Sequence, residues 1–138
     1  MGDYAGDIQP TEAWRLLAAD PEAVLIDVRS DAEWTFVGLC DLSSLGKEPL
    51  LVAWQIFPGM VPNEAFTDEV AAVVGVEQPA LFLCRSGVRS RAAAAAMTAR
   101  GFPHCYNIAG GFEGDPDDHH HRGGVNGWKA GGLPWIQG

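Results

Sequence analysis

LFLCRSGVRSRAAAAA occupies residues 81–96, and three local signals meet in it. Residues 80–83 are a short apolar run, the pattern of a strand buried on both faces. Residues 88–100 carry five consecutive alanines, the best helix formers, and Gly101 follows as a stop. Between strand and helix lies a tight loop in which Gly87 is free to take a positive φ. Cys84 therefore falls directly after a strand and directly before a helix.

The same alternation extends outward. Residues 12–17 have helical spacing, with Thr11 as the expected N-cap and Asp20-Pro21 as the stop. Residues 23–28 form a second continuous apolar run, hence a buried strand. Ser30 and Glu33 are spaced as a capping box for a short helix over residues 30–34. Residues 50–54 and 105–108 are further strand candidates. Residues 63–74 read as a helix with Phe66, Val70, Val73 and Val74 on one side and Gly75 past its end. A short closing segment is expected around residues 126–130. Short strands alternating with helices imply an α/β fold with a parallel sheet, and such sheets bind ligands outside the carboxyl ends of their strands. Cys84 stands in that position.

With 138 residues, the chain has the length of one ordinary domain, read as residues 1–138. The balance of 9 Lys+Arg against 18 Asp+Glu gives a formal charge of −9, unsuited to nucleic acid or an anionic membrane. Arg85, Arg89, Arg91 and Arg100 nevertheless cluster, which points to a small anion as partner. Arg91 and Arg100 are read as the basic solvent face of a helix. MGDYAGDIQP has no apolar segment of a secretion signal, and Gly6 stands where a myristoylation motif needs Ser or Thr. No stretch approaches a membrane span of roughly 18 apolar residues. Cys40, Cys84 and Cys105 are scattered, which fits a reducing cytoplasm better than a disulfide framework.

Residues 84–90 spell a chemical device. Successive N–H groups around Gly87 can point inward as an anion cradle. The N-terminus of the following helix adds partial positive charge. Arg89 can close the cradle, and the Ser86 and Ser90 hydroxyls are further donors. A thiolate, the nucleophilic form of cysteine, is stabilised in such a field. An isolated cysteine at a strand end is ordinarily a buried, inert thiol. Here two arginines and a glycine follow within five residues, an arrangement of little use to a core. Cys84 is therefore read as reactive, and Cys40 and Cys105, which lack such neighbours, as core thiols. The alanine run serves helix propensity, and it also leaves a face without bulk that can press close to a sheet.

These residues closely resemble the active-site loop of the rhodanese family of sulfurtransferases. Three further stretches carry the resemblance. They are Leu25-Ile26-Asp27-Val28-Arg29 followed by Glu33-Trp34 and Gly38, then Asn107-Ile108-Ala109-Gly110-Gly111-Phe112, then Gly127-Trp128-Lys129-Ala130-Gly131-Gly132-Leu133-Pro134 with one extra glycine. In order, they span residues 24–135. The resemblance implies a rhodanese-like three-layer fold with a central parallel sheet of about five strands flanked by helices. It implies a sulfurtransferase of the thiosulfate type with Cys84 as the catalytic residue and no cofactor beyond a covalent Cys84 persulfide. Sulfane sulfur would come from a small anionic donor such as thiosulfate and pass to cyanide, a thiol or a protein acceptor. Backbone N–H groups of Arg85, Ser86, Gly87, Val88 and Arg89 would hold the charged sulfur, while Arg85 and Arg89 attract the donor. Asp27, Arg29 and Ser90 would support the site, Arg29 through an ion pair expected with Glu33.

The chain departs from the family pattern twice. Gly38-Leu39-Cys40-Asp41-Leu42 stands where the family often has Gly-His-Ile, so that histidine is absent. EGDPDDHHHRGGV, residues 113–125, is inserted between two signatures, expected near the mouth of the site and with Arg122 adding charge there. Adjacent histidines cannot all face one metal from a regular element, so His119-His120-His121 is read as an exposed polar loop with no metal. Two other functions compete. Cysteine-loop phosphatases and arsenate reductases cradle a tetrahedral oxyanion with Cys-x5-Arg. Here Cys84 to Arg89 is Cys-x4-Arg, a tighter cradle suited to one added sulfur, with no acid in the loop to protonate a leaving group. The other alternative is a protein-binding module, the role of rhodanese-like domains that have lost the cysteine, and the presence of Cys84 with its full loop argues against it. Trp54, Phe57 and Trp135 are expected in the core.

Overall fold

The computed structural model describes residues 3–56, 59 and 61–137. Among the described residues, nine strands run in chain order: β1 (Gly6–Ile8), β2 (Val24–Asp27), β3 (Leu39–Cys40), β4 (Leu50–Leu51), β5 (Gln55–Ile56), β6 (Val61–Pro62), β7 (Ala80–Leu83), β8 (Cys105–Ile108) and β9 (Trp135–Ile136). The α-helices are α1 (Pro10–Ala19), α2 (Asp31–Phe36), α3 (Phe66–Val73), α4 (Val88–Ala99) and α5 (Gly127–Ala130). Five strands make the central sheet in the order β1-β8-β7-β2-β4, and every pairing in it is parallel. β7 is the middle strand and is buried along its whole length, as its apolar run requires.

Two apolar layers cover the sheet. One joins Phe66 and Val70 of α3 and Ala93, Ala94 and Met97 of α4 to Ile26, Phe82, Cys84 and Cys105. The other joins Ala13 and Leu17 of α1, Phe112 and Trp128 to Leu25, Leu81, Leu83 and Ile108. The alternation of Leu81 and Leu83 to one face and Phe82 and Cys84 to the other follows the period of two in a strand. In α4 the buried residues are Ser90, Ala93, Ala94 and Met97, the i, i+3, i+4, i+7 stripe of one helix face. Two alanines on that stripe let α4 lie close to β7 and β8.

Several boundaries differ from the sequence reading, each for a local reason. α1 starts at Pro10 with Gln9, not Thr11, as its N-cap, since proline is pre-set for the first helical position. Asn63 does not open α3; its Oδ1 accepts from the Ala65 N–H at 3.1 Å, a turn that delays the helix to Phe66. Only Leu50–Leu51 counts as strand in the 50–54 segment, although Val52 and Trp54 still donate to the Asp27 and Val28 carbonyls. β1 and the β3–β9 and β5–β6 pairs are too short for any periodicity. Trp54 is half-buried, edge-on to Phe66 at 5.1 Å. Trp135 is not core: it is 39% exposed, with the Lys129 ammonium 3.9 Å from its ring centre. Phe57 lies outside the described residues.

The turn after β8 presses on the loop after β7. Gly111 has φ +64°, and a Cβ there would stand 2.4 Å from the Cys84 carbonyl oxygen and 2.6 Å from the Arg85 carbonyl carbon. Both sites are backbone and cannot yield. Gly111→Ala therefore combines a left-handed conformation with overpacking, and a loss of about 2–4 kcal/mol is expected. Denaturant-unfolding midpoints of the two proteins measure it.

Candidate active site

Cys84 follows the last residue of β7 and is 1% exposed. Its Sγ accepts the Gly87 N–H at 3.1 Å and lies 3.2 Å from Ser90 Oγ. Gly87 is the N-cap of α4 and has φ +116°, a value that demands glycine and turns its N–H back onto the sulfur. The sulfur thus meets the N-terminus of a twelve-residue helix, where the free N–H groups and the helix dipole favour negative charge. The five-residue span 85–89 is thus a tight turn that bonds the sulfur through its Gly87 N–H. Its Val88 side chain, 71% exposed, contributes no polar group, and Ser86 is half-buried.

The arginines of the loop divide their work. Arg89 is bound by both oxygens of Glu33 on α2, Nη1–Oε1 at 2.6 Å and Nη2–Oε2 at 2.8 Å. It ties α4 to α2 while its charge still bears on Cys84, Glu33 and Asp27. Arg85 is 47% exposed in its side chain, with Glu113 only at 4.0 Å, and is the loop guanidinium with room to meet an anion. Arg91 is exposed, and Arg100 is exposed and pairs with Asp68, as a basic solvent face predicts.

Arg29 corrects the sequence expectation. Its partner is Asp27, not Glu33: Nε and Nη2 donate to the two carboxylate oxygens at 2.9 and 2.7 Å, and Nη2 also donates to the Gly38 carbonyl. Both residues are wholly buried at the carboxyl end of β2, and the guanidinium lies over the Phe112 ring at 4.3 Å. The pair locks the turn after β2, and Glu33 is left free for Arg89. Ser30 keeps its expected capping box, its backbone N–H and hydroxyl both donating to Glu33 Oε1 at 3.1 Å.

One residue of this site escaped the sequence reading. Asn107, fully buried in β8, accepts from Ser90 Oγ through Oδ1 at 2.5 Å and donates to Asp7 Oδ1 through Nδ2 at 3.0 Å. A polar side chain inside the apolar run CYNI was the available signal, because a buried amide is costly unless bonded. The other cysteines are core thiols. Burial pushes the Cys40 thiol well up, and burial likewise raises Cys105 to about 11. His119, His120 and His121 are exposed, and no group of three metal-ligating side chains converges among the described residues. The insertion does begin at the site: the Glu113 and Gly114 N–H groups donate to the Arg85 carbonyl. Arg122 is spent on the Gly114 carbonyl at 2.6 Å.

Comparison with known proteins places the chain in a family. The model of the Rhodanese-like domain matches residues 9–115. The crystal structure of Rv0390 from M. tuberculosis superposes with a TM-score of 0.91 at 48% identity, over 99% of this chain and 100% of that one. The RP600 homolog of Rickettsia rickettsii is 37% identical over 94% of this chain and 95% of its own. Thiosulfate sulfurtransferase GlpE of Actinobacillus pleuropneumoniae is 27% identical over 97% of this chain and 95% of its own. A parallel sheet with a cysteine cradle at its carboxyl edge is the architecture of a sulfurtransferase family. The chain belongs to that family, the rhodanese-like proteins.

The Glu33–Arg89 clamp has a pH signature. Burial pushes the Glu33 carboxyl up, but the Arg89 bonds and charge, with Ser30, outweigh it and hold the group below its ordinary value. A depressed carboxyl stabilises the fold above its unfolded pKa and yields that stability as pH falls through the folded one. Glu33→Gln is therefore less stable than the wild type at neutral pH, and the gap narrows as pH falls below the ordinary glutamate range. Denaturation midpoints of both proteins across pH test this; a constant gap would count against the clamp.

Proposed function

We propose that the protein is a thiosulfate sulfurtransferase-type enzyme that carries sulfane sulfur on Cys84. The observation that supports this best is the Gly87 N–H on the Cys84 sulfur at 3.1 Å, inside a Cys-x4-Arg loop. The likeness to a thiosulfate sulfurtransferase across nearly the whole chain agrees with it. In the first step the Cys84 thiolate attacks the sulfane sulfur of the donor. A Cys84 S–S bond forms, the donor's S–S bond breaks, and sulfite leaves with the electron pair. In the second step cyanide, a thiol or a protein thiol attacks the outer sulfur, takes it, and returns Cys84 as thiolate. Neither step calls for a metal or organic cofactor.

Each loop residue has a role in this reading. Arg85 meets the anionic donor. Backbone N–H groups from Arg85 to Arg89 take up the charge on the persulfide. Arg89, fixed by Glu33, supplies a standing positive field, and Ser90 touches the sulfur from the next turn. Asp27 and Arg29 keep the turn after β2 rigid beneath the site. The three free cysteines suit a reducing compartment such as the cytoplasm.

Thiocyanate formation from thiosulfate and cyanide tests the proposal. Cys84→Ser is expected to abolish it, and Arg85→Ala to raise the KM for thiosulfate roughly 10-fold, the loss of one charge-assisted contact. Mass spectrometry of wild type treated with thiosulfate is expected to show one added sulfur atom on the Cys84 peptide. Unchanged turnover in Cys84→Ser would refute the mechanism.

A further inference from the structure

A polar chain leads from the candidate nucleophile to the sheet edge. Asp7 of β1 pairs in register with Asn107 of β8, so the two side chains stand side by side on the α4 face. Cys84 Sγ, Ser90 Oγ, Asn107 Oδ1 and Nδ2, Asp7 Oδ1 and the Tyr4 hydroxyl follow at 3.2, 2.5, 3.0 and 2.8 Å, the amide spanning one step covalently. We propose that Asp7 is a positioning residue that, through Asn107, turns the Ser90 hydroxyl proton away from the Cys84 sulfur. This inference rests on the reading of Cys84 as the reacting group.

The direction follows from donor and acceptor capacities. An ionised carboxylate only accepts. The Asn107 bond, first, and then the Tyr4 bond and the Arg91 charge hold the Asp7 carboxyl below its ordinary value against partial burial, so it is ionised at neutral pH. Asn107 must then present its NH2 to Asp7 and its oxygen to Ser90. Ser90 has one proton to give. Given to Asn107 Oδ1, it leaves lone pairs toward the sulfur, which suits a Cys84 S–H donor and not a thiolate. To serve the thiolate, the proton must leave Asn107, and two oxygens then face each other without a hydrogen. The thiolate consequently depends on the Gly87 N–H and on the Arg89 field, itself offset by Glu33 and Asp27.

Asp7→Asn frees the chain to reverse without changing its shape, because an amide can donate where a carboxylate only accepts. An asparagine at position 7 can donate to Asn107 Oδ1, Asn107 then turns its NH2 to Ser90, and the Ser90 proton goes to the sulfur. Alkylation of Cys84 by iodoacetamide, located by peptide mass mapping, reads the result as rate against pH. The midpoint is expected about one pH unit lower in Asp7→Asn, the scale of a hydrogen bond gained by the anion. In a Ser90→Ala background the same substitution is expected to shift the midpoint little. Asn107→Leu serves as the severed background should Ser90→Ala not fold. An unshifted or higher midpoint in Asp7→Asn overturns the proposal. Equal falls in intact and severed backgrounds also overturn it, since they mark loss of the Asp7 charge acting through space. The readout needs no sulfur donor, so a protein that fails to transfer sulfur but shows this cycle refutes only the sulfurtransferase reading.

Discussion

A loop that turns the Gly87 N–H inward onto the Cys84 sulfur turns carbonyls outward, and buried carbonyls need donors. This constraint organises the molecule. The Cys84 carbonyl receives the Phe112 N–H at 2.8 Å, and the Arg85 carbonyl receives the Glu113 and Gly114 N–H groups at 3.0 and 3.1 Å. Only a glycine at 111 lets that turn come close enough. The turn is secured in its own right: the Gly111 and Phe112 carbonyls accept from the Trp128 and Lys129 N–H groups, and the Trp128 indole donates to the Pro134 carbonyl at 2.7 Å. Three motifs separated by tens of residues are thus successive layers of one hydrogen-bonded stack whose top is the cysteine loop.

Charge follows a parallel logic. The chain carries a formal charge of −9, yet the sulfur sits among arginines. A buried guanidinium without a partner would be costly, so each inner arginine has its own carboxylate. Arg29 takes Asp27, and Arg89 takes Glu33. Both carboxylates come from the segment at the carboxyl end of β2, so that strand and its turn neutralise and aim the groups that surround a site built by β7 and α4. Arg85, further out, keeps its head in solvent where an anion can be met.

The sequence was most legible where local physics and tertiary demand agree. β7 carries a continuous apolar run because both its faces are covered, and the bounds of β7 and β8 match the structure residue for residue. The capping box at Ser30 and Glu33 is local chemistry and is present as spaced. Cys84, Gly87 and Ser90 converge because a strand, a glycine turn and one helical turn leave little choice. What was illegible depends on partners far along the chain. Glu33 lies four residues from Arg29 but bonds Arg89, fifty-six residues away, because Asp27 already occupies Arg29. Trp135 reads as core by residue type, yet it rests on the surface against Lys129 and Phe112.

β1 shows why the remainder of the site was hidden. A three-residue strand, Gly-Asp-Ile, has no periodicity to detect, and its central residue is among the poorest strand formers. It is held by pairing along β8, with Gly6, Asp7 and Ile8 opposite Tyr106, Asn107 and Ile108. Its carboxylate satisfies an amide that Ser90 alone would leave half-bonded. The asparagine in β8 thus has three obligations at once. It sits in an apolar strand, it accepts the Ser90 hydroxyl beside the sulfur, and it recruits an edge strand to supply the acceptor for its NH2. An apolar residue of similar size would fill the strand position but would leave the Ser90 hydroxyl and the Asp7 carboxylate without the amide that bonds both.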